Sequence, residues 1–411
     1  MKGAATGGEA ADGKRCELNP TVFRRSLMRW YRDNARVLPW RNIFDPYGIW
    51  VSEIMLQQTR VAAVIDYYNG FMRRFPTLVA LALAPEADVL AAWSGLGYYR
   101  RARMLHKSAQ FILAERQGHI PGSAAELLTL PGIGEYTAAA ISSIAFGERV
   151  AVVDGNVERV ILRLTGRAND ATAAVRRFVH EQAQGLMPNT RPKASRQDTQ
   201  SGDVSGALLS GNAAGDHNQA IMELGATVCL PHAPLCSQCP VFDLCCTRGE
   251  HPTPARAPQR SLPVACLLDL RKRGPATEVL LEHRPDDAPL MPAMYELPPL
   301  ALDTVDGLEP ALRLRHAITN TNYYVQVFSP RLMRTGTGSP GLGKRIATSS
   351  QTLRSAIATD NQNLHWVRTT RLASLPLTGL TRKILQRLKV MQNSRIEFPE
   401  WDGDHPVEDK L

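Results

Sequence analysis

Five of the seven cysteines fall within 18 residues, as Cys229, Cys236, Cys239, Cys245 and Cys246, while Cys16 and Cys266 stand alone. The spacing Cys-x6-Cys-x2-Cys-x5-Cys gathers four thiols on one short loop, which suits either a [4Fe–4S] cluster or tetrahedral zinc. Zinc loops usually carry two separated Cys-x2-Cys pairs, and one is present here. Cys246 is the alternative to Cys245 as the last ligand, and the spacing favours Cys245. Cys16 and Cys266 are expected to be free thiols. Such clustering excludes a secreted disulfide framework.

A loop of this kind needs a folded body to stand on, and 411 residues allow two or three domains. Residues 1–18 are Gly/Ala-rich and polar and read as a flexible tail. From Pro20 to about Leu186 the pattern is helical with short Gly/Pro breaks, as in FRRSLMRWYRDNA, YGIWVSEIMLQQTRVAAVIDYYNGFMRRF and EYTAAAISSIAFG. Residues 188–216 are Ser/Gly/Asn/Gln-rich and read as a disordered insertion, after which HNQAIMELGATVC resumes the helical pattern. The first folded body therefore spans 19–250, a Pro/Arg-rich stretch at 251–262 reads as a linker, and 263–391 form a second domain before a tail at 392–411. In that second domain VACLLDL, TEVLLEHR, NYYVQVF and LHWVR read as short strands and GLTRKILQRLKVM as a closing helix, an α+β texture.

Three features of the helical body carry chemistry. Leu130-Pro131-Gly132-Ile133-Gly134 joins two helical segments, and its glycines can present bare backbone N–H groups to a phosphate at a helix N-terminus. This is a helix-hairpin-helix reading; the alternative is a hairpin whose glycines serve only the turn. Asp154 follows the apolar run 150–153 and precedes the helix VERVILRLTG, where it is an N-cap. Amide donors and the helix dipole there favour a charged carboxylate. Glu53 shares a helix face with Ile49 and lies near Trp50 and Leu56, so its carboxyl is expected among apolar neighbours with a raised pKa, able to carry a proton at neutral pH. One carboxyl pushed up and another held charged is the pairing that cleaves glycosidic bonds.

Charge points the same way. The formal net charge is +9, and residues 21–120 hold 14 Lys/Arg against 7 Asp/Glu, so +7 of it lies in one quarter of the chain. A polyanionic partner fits, as does a solvated Arg-rich face. No signal-peptide core opens the chain and no apolar run would span a membrane, so a cytoplasmic, nucleoid-associated location without membrane contact is expected.

With these motifs in place, the chain resembles the helix-hairpin-helix DNA glycosylases with an iron–sulfur loop, and among them the MutY-type adenine glycosylases. The shared elements are SEIMLQQT at 52–59, GLGYYRRAR at 95–103, LPGIGEYTA at 130–138, VVDGNVERV at 152–160, NQAIMELGA at 218–226 and the four cysteines Cys229, Cys236, Cys239 and Cys245. The resemblance is strong over about 20–250 and weaker over 260–390. It implies a mainly α helix-hairpin-helix domain with an iron–sulfur cluster loop and a smaller C-terminal α+β Nudix-like domain. The implied partner is double-stranded DNA containing adenine opposite 8-oxoguanine or guanine, the implied cofactor a [4Fe–4S] cluster, and a monomer is expected.

The resemblance also implies roles. The adenine is flipped out of the duplex; Glu53 protonates its N7, and Asp154 stabilises the oxocarbenium ion or traps it briefly before water attacks. Tyr136 and Asn156 match residues that support this site. Tyr136 occupies the position where bifunctional relatives carry a Schiff-base lysine, which implies a monofunctional enzyme with little strand cutting. Gln58 and Tyr98 match wedge residues, while Trp40, Arg41 and Gln219 match positions lining the adenine pocket, and Gly132 and Gly134 match the phosphate hairpin. In the second domain LMPAMYELP at 290–298 matches the run before the Nudix-like turn, without the pyrophosphatase helix, so binding rather than hydrolysis is expected. A Phe-Ser-His loop of the family aligns with Ile318, Thr319 and Asn320; Thr319 keeps a hydroxyl, and the flanking departures bear on 8-oxoguanine selectivity. Two other readings are an endonuclease III-like pyrimidine glycosylase and a non-catalytic iron–sulfur DNA-binding protein.

Overall fold

The computed structural model describes residues 18–41, 43–170, 172–189, 212–251, 259–318, 320–330, 353 and 362–391. Both terminal tails, most of the 188–216 segment, most of the expected linker, Cys16 and Thr319 lie outside the described residues. The chain divides into two compact units that do not follow chain order: one of Met1–Ile49, Pro121–Thr129 and Ile133–Ala255, the other of Trp50–Ile120, Leu130–Gly132 and Arg256–Leu411.

Eleven described helices precede the sheets: α1 (Pro20–Asn34), α2 (Pro46–Leu56), α3 (Val61–Arg74), α4 (Leu78–Leu83), α5 (Glu86–Trp93), α6 (Arg100–Arg116), α7 (Ala124–Leu127), α8 (Glu135–Phe146), α9 (Gly155–Thr165), α10 (Ala173–Leu186) and α11 (Ala213–Thr227). Their starts are written in the sequence. Asn19, Thr77, Ser123, Asp154, Thr172 and Asn212 each accept a backbone N–H from the first turn they cap.

In the first unit α11 is the central helix, packed by α1, α8 and α9. Phe23, Leu27 and Tyr31 of α1, Val157, Val160 and Ile161 of α9, Val175 and Val179 of α10, and Ile221 and Leu224 of α11 make one buried core. The small residues of α8 let α11 come close: a Cβ on Gly215 would lie 2.9 Å from the Ile144 Cα. α11 begins at Ala213, inside the stretch read as disordered. The reason is local: Asn212 caps it through Gly215 N–H and donates to the Ser143 and Ile144 carbonyls, so the first turn is bonded to α8.

This core contains one histidine that must stay neutral. His217 is 2% exposed, packs edge-on to Phe23, and burial, with the nearby Arg24 charge, lowers its pKa to about 4. In the unfolded chain it titrates near 6.5, so the unfolded state binds more protons between those values and stability falls as pH drops from about 6.5 toward 4. Acidifying from pH 7 to pH 5 is expected to cost about 2 kcal/mol through this group. Urea unfolding at the two pH values measures it, and His217→Gln should flatten the difference; an unchanged difference in the variant would refute the assignment.

The second unit holds α3–α6 and the C-terminal sheets. Strands β1 (Arg260–Leu267), β2 (Leu270–Arg273), β3 (Ala276–His283), β4 (Tyr295–Glu296), β5 (Pro299–Leu300), β6 (Leu312–Ile318), β7 (Thr321–Phe328) and β8 (Leu364–Arg368) form two small sheets, ordered β5-β1-β7-β6 and β2-β3-β4 with β8 on β3. β1 runs parallel to β7 and starts at Arg260, inside the expected linker, because its first residues pair with Thr321–Tyr323. The final helix, α12 (Gly379–Arg387), buries Ile384 and Leu385 against Val279, Leu281, Val325 and Val327. It stops four residues short of the expected end, where Lys389 takes a left-handed conformation (φ 57°).

Candidate active site and cysteine loop

Asp154 is built into the start of α9. One carboxylate oxygen accepts the Val157 N–H at 2.7 Å, and the other accepts Nδ2 of Asn156 at 2.8 Å. The Asn156 amide is itself oriented, because its Oδ1 accepts from Arg159 at 2.9 Å. Arg159 also donates to the Gly225 and Cys229 carbonyls, both at 2.7 Å, and so joins the start of α9 to the end of α11 and to the cysteine loop. The helices touch here: a Cβ on Gly225 would sit 2.6 Å from the Asn156 Cβ. Upstream, the run 150–153 is fixed by buried Asn218, which donates to Val150 O and Ser143 Oγ and accepts from Val152 N–H. Arg159 and Asn218 lie within motifs already quoted, yet neither stood out, because their work is done through contacts distant in sequence.

The other expected residues of this unit take up definite places. Tyr136, on the first turn of α8, is half-buried and reaches Met222 Sδ at 3.7 Å. Gln219 accepts weakly from Tyr31 Oη at 3.5 Å. Trp40 is buried. Arg41 is bound into an ion-pair group: Nη2 meets Glu223 at 2.6 Å, Nη1 meets Arg36 O at 2.8 Å, and its guanidinium lies over the Tyr31 ring. Glu223 is fully buried; burial would raise its pKa, but hydrogen bonds from Arg36 and Arg41 outweigh that and hold it at about 2. Its contribution to stability is thus complete above about 4.5 and lost progressively as pH falls from there through about 2, mostly below the window of His217.

In the second unit, Glu53 is 5% exposed on α2, a helix whose Trp50, Val51, Ile54 and Met55 are also buried. A carboxyl is expensive at such a position, which marks it as chosen for chemistry or for a bond. Gln58 and Tyr98 are exposed and left-handed, with φ of 56° and 50°. Backbone strain at two exposed non-glycine residues is a mark of working loops. Both loops close on Arg101, whose guanidinium donates to the carbonyls of Ile54, Met55, Gln57, Leu96 and Gly97 and to Thr59 Oγ1, and lies over the rings of Trp93 and Tyr98. No role for Arg101 was evident from sequence, since a run of arginines gives no sign of which one is turned inward.

The hairpin turn between α7 and α8 has Gly132 left-handed at φ 75°, where a Cβ would strike Met104 at 2.5 Å. Gly134 caps α8 with no side-chain bond and open space around it, leaving the first amides of α8 without a side-chain cap. At the end of the hairpin of β6 and β7, Ile318 pairs with Thr321, and Asn320 is exposed; Thr319 is outside the described residues.

The four thiols Cys229, Cys236, Cys239 and Cys245 are free and line one small cavity. Cys246 does not line that cavity, whereas its neighbour Cys245 does. Arg163 donates to Cys229 Sγ at 3.3 Å and to the Leu230 and Pro231 carbonyls, fixing the start of the loop. Burial and the neighbouring sulfurs raise the pKa of Cys236 and Cys239, the latter to about 11, so metal binding would displace protons. Among the described residues no three His, Cys, Asp or Glu side chains close on a point as a single metal ion requires.

Residues 51–183 match the HhH-GPD superfamily of base excision DNA repair proteins. The class is thus a mainly helical repair-protein domain followed by small mixed sheets. The chain is 45% identical over 238 residues to the adenine DNA glycosylase of Homo sapiens, covering 56% of this chain and 40% of that one. It is 38% identical over 257 residues to the adenine DNA glycosylase of Mycobacterium tuberculosis, covering 62% of this chain and 77% of that one. It belongs to the adenine DNA glycosylase family, and it spans about two fifths of the length of the Homo sapiens relative. Against the solved structure of a thermostable thymine-DNA glycosylase the TM-score is 0.47 at 27% identity, over 56% of this chain and 96% of that one.

Proposed function

We propose that the chain is a monofunctional glycosylase that hydrolyses the N-glycosidic bond of adenine lying opposite 8-oxoguanine or guanine in duplex DNA. The observation that carries this is the carboxylate of Asp154, standing at the N-terminus of α9 with one oxygen on a backbone amide and the other on an oriented asparagine. A fixed negative charge is what a developing oxocarbenium ion needs. Glu53 is assigned as the general acid that protonates adenine N7, and Tyr136 and Asn156 as the residues that hold the site. Trp40, Arg41 and Gln219 are assigned to the adenine pocket, and Gln58 and Tyr98 to the wedges that hold the duplex open. The open amides of α8 after Gly132 and Gly134 suit a backbone phosphate. The C-terminal sheets are read as a Nudix-like domain that senses the base opposite the adenine.

The test is single-turnover release from duplexes with adenine opposite 8-oxoguanine, guanine, thymine and cytosine. Release is expected to be fastest opposite 8-oxoguanine, with abasic product that stays intact until base or heat is applied. Strong strand cutting without that treatment, or release of oxidised pyrimidines instead, would overturn the assignment.

We assign the cysteine loop to a [4Fe–4S] cluster held by Cys229, Cys236, Cys239 and Cys245. The all-thiol donor set, four free thiols lining one cavity, fits it. When bound, the cluster would cross-link the four thiols of this loop and close it on itself, while Arg159 and Arg163 bond its start to the helical body. The purified chain is expected to show broad visible absorbance with iron and sulfide in equal amounts, and Cys239→Ser to lose more than half of both. Colourless protein carrying zinc would refute the assignment.

A further inference from the structure

In the second unit a cavity of about 400 Å³ opens between the loop Gly95–Tyr99, the end of β6 and α12. Its lining includes the cations Arg382 and Lys383 and the imidazole of His316, and no carboxylate among the described residues. Arg382 is 5% exposed, yet no ion pair to it is formed among the described residues; Nε donates to Ser94 Oγ at 2.9 Å and Nη2 has no partner at all. A guanidinium taken out of water without a counter-charge is costly, and an anion seated in the cavity that Arg382 lines would supply that charge, although Nη2 itself is closed off from solvent. Lys383 is equally uncommitted to an acid, donating only to the Arg315 carbonyl at 3.1 Å. The opposite wall is built for close approach: Gly97 is left-handed with nothing within 4 Å of where a Cβ would be. Tyr98 adds an exposed aromatic face.

We propose that this cavity is a phosphate site, in which Arg382 and Lys383 hold a backbone phosphodiester of the bound DNA. The inference rests on the chain's acting on DNA. It adds an electrostatic anchor on α12 that no sequence motif marks. Burial depresses the pKa of Arg382 and Lys383 alike, as the approach of an anion would reverse.

A cation that neutralises one phosphate contributes about 0.9 to the slope of log affinity against log salt. The full-length chain is titrated by anisotropy against an undamaged duplex across a range of salt. The double variant Arg382→Gln/Lys383→Gln is expected to flatten the slope by about 0.9 and each single Gln variant by part of that, Arg382→Lys to keep it, and Arg313→Gln, an exposed arginine paired with Glu309, to match wild type. If Arg382→Gln fails to fold by circular dichroism, Lys383→Gln decides alone. Wild-type slopes in the folded Gln variants would overturn the proposal. So would thermal stabilisation of the wild type by inorganic phosphate, lost in Lys383→Gln while the DNA slopes stay unchanged, since the anion would then be a free one. Flattened slopes with no adenine release by the wild type would keep the phosphate site and remove the glycosylase reading. Adenine release with unchanged slopes would do the reverse.

Discussion

Glu53→Gln should lower single-turnover adenine release by 10³-fold or more, and Asp154→Asn by about 10²- to 10³-fold, with both variants folded. General acid catalysis and electrostatic stabilisation of a developing charge are each worth changes of about this size. Both substitutions are nearly isosteric, so what they remove is a titrating proton in one case and a charge in the other. Folding should survive for reasons visible in the structure. Asparagine caps a helix as well as aspartate, so the bond to Val157 N–H is kept. The cost lies at the second oxygen, where the Asn156 amide must find another acceptor, about 1–3 kcal/mol at most. Glutamine at position 53 stays within a helix that is buried on all sides and needs no ionisation there. Thermal melts close to wild type beside a lost rate would separate chemistry from folding. Release within tenfold of wild type in either variant would show that the carboxyl at that position is structural.

Much of this could be read before any coordinates. The cap at Asp154, the hairpin glycines and the thiol spacing are local signals, and the structure places Asp154 at the start of α9, Gly132 in a left-handed turn and the four thiols around one cavity. β6 shows where local reading stops. Leu312, Leu314, His316 and Ile318 alternate with Arg313, Ala317 and Arg315, a strand pattern that arginines and a histidine disguise, and only pairing to β7 confirms it. Asn212 is a second case: its helix starts early because its side chain finds carbonyls of α8, which lie far back in the chain. Arg41 is a third, since a position aligned with a base pocket spends its donors on Glu223 and Arg36. In each case the missing information is a partner distant in sequence. Buried cations are the least legible of all, because nothing in a run such as Arg100-Arg101-Ala102-Arg103 says that the middle guanidinium turns inward.

That inward arginine carries the second large effect expected here. Arg101→Leu should cost about 3 kcal/mol of stability and lower the rate of base release about 10²-fold, although Arg101 touches no carboxyl assigned to the chemistry. Its guanidinium takes the last carbonyls of α2 and the backbone of two loops, one carrying Gln58 and the other Tyr98. Hydrogen bonds from a charged donor are worth about 1.5–3 kcal/mol each, but a network of six shared acceptors is far from additive, and water can reach some of the freed carbonyls. The site is half-buried, and burial lowers the Arg101 pKa to about 10, so the charge persists at neutral pH. Leucine would leave the carbonyl end of α2 without its cation and both left-handed residues without the frame that holds their strain. A loss of position near 1 Å is enough for a hundredfold fall in rate. Arg101→Lys should recover little, because an ammonium cannot reach two loops at once as the planar fork does. Hydrogen exchange at the amides of 57–59 and 96–98 reads the effect directly: both segments should lose protection together. Loss in one loop alone, or a rate that falls with no change in either, would show that Arg101 does not join them.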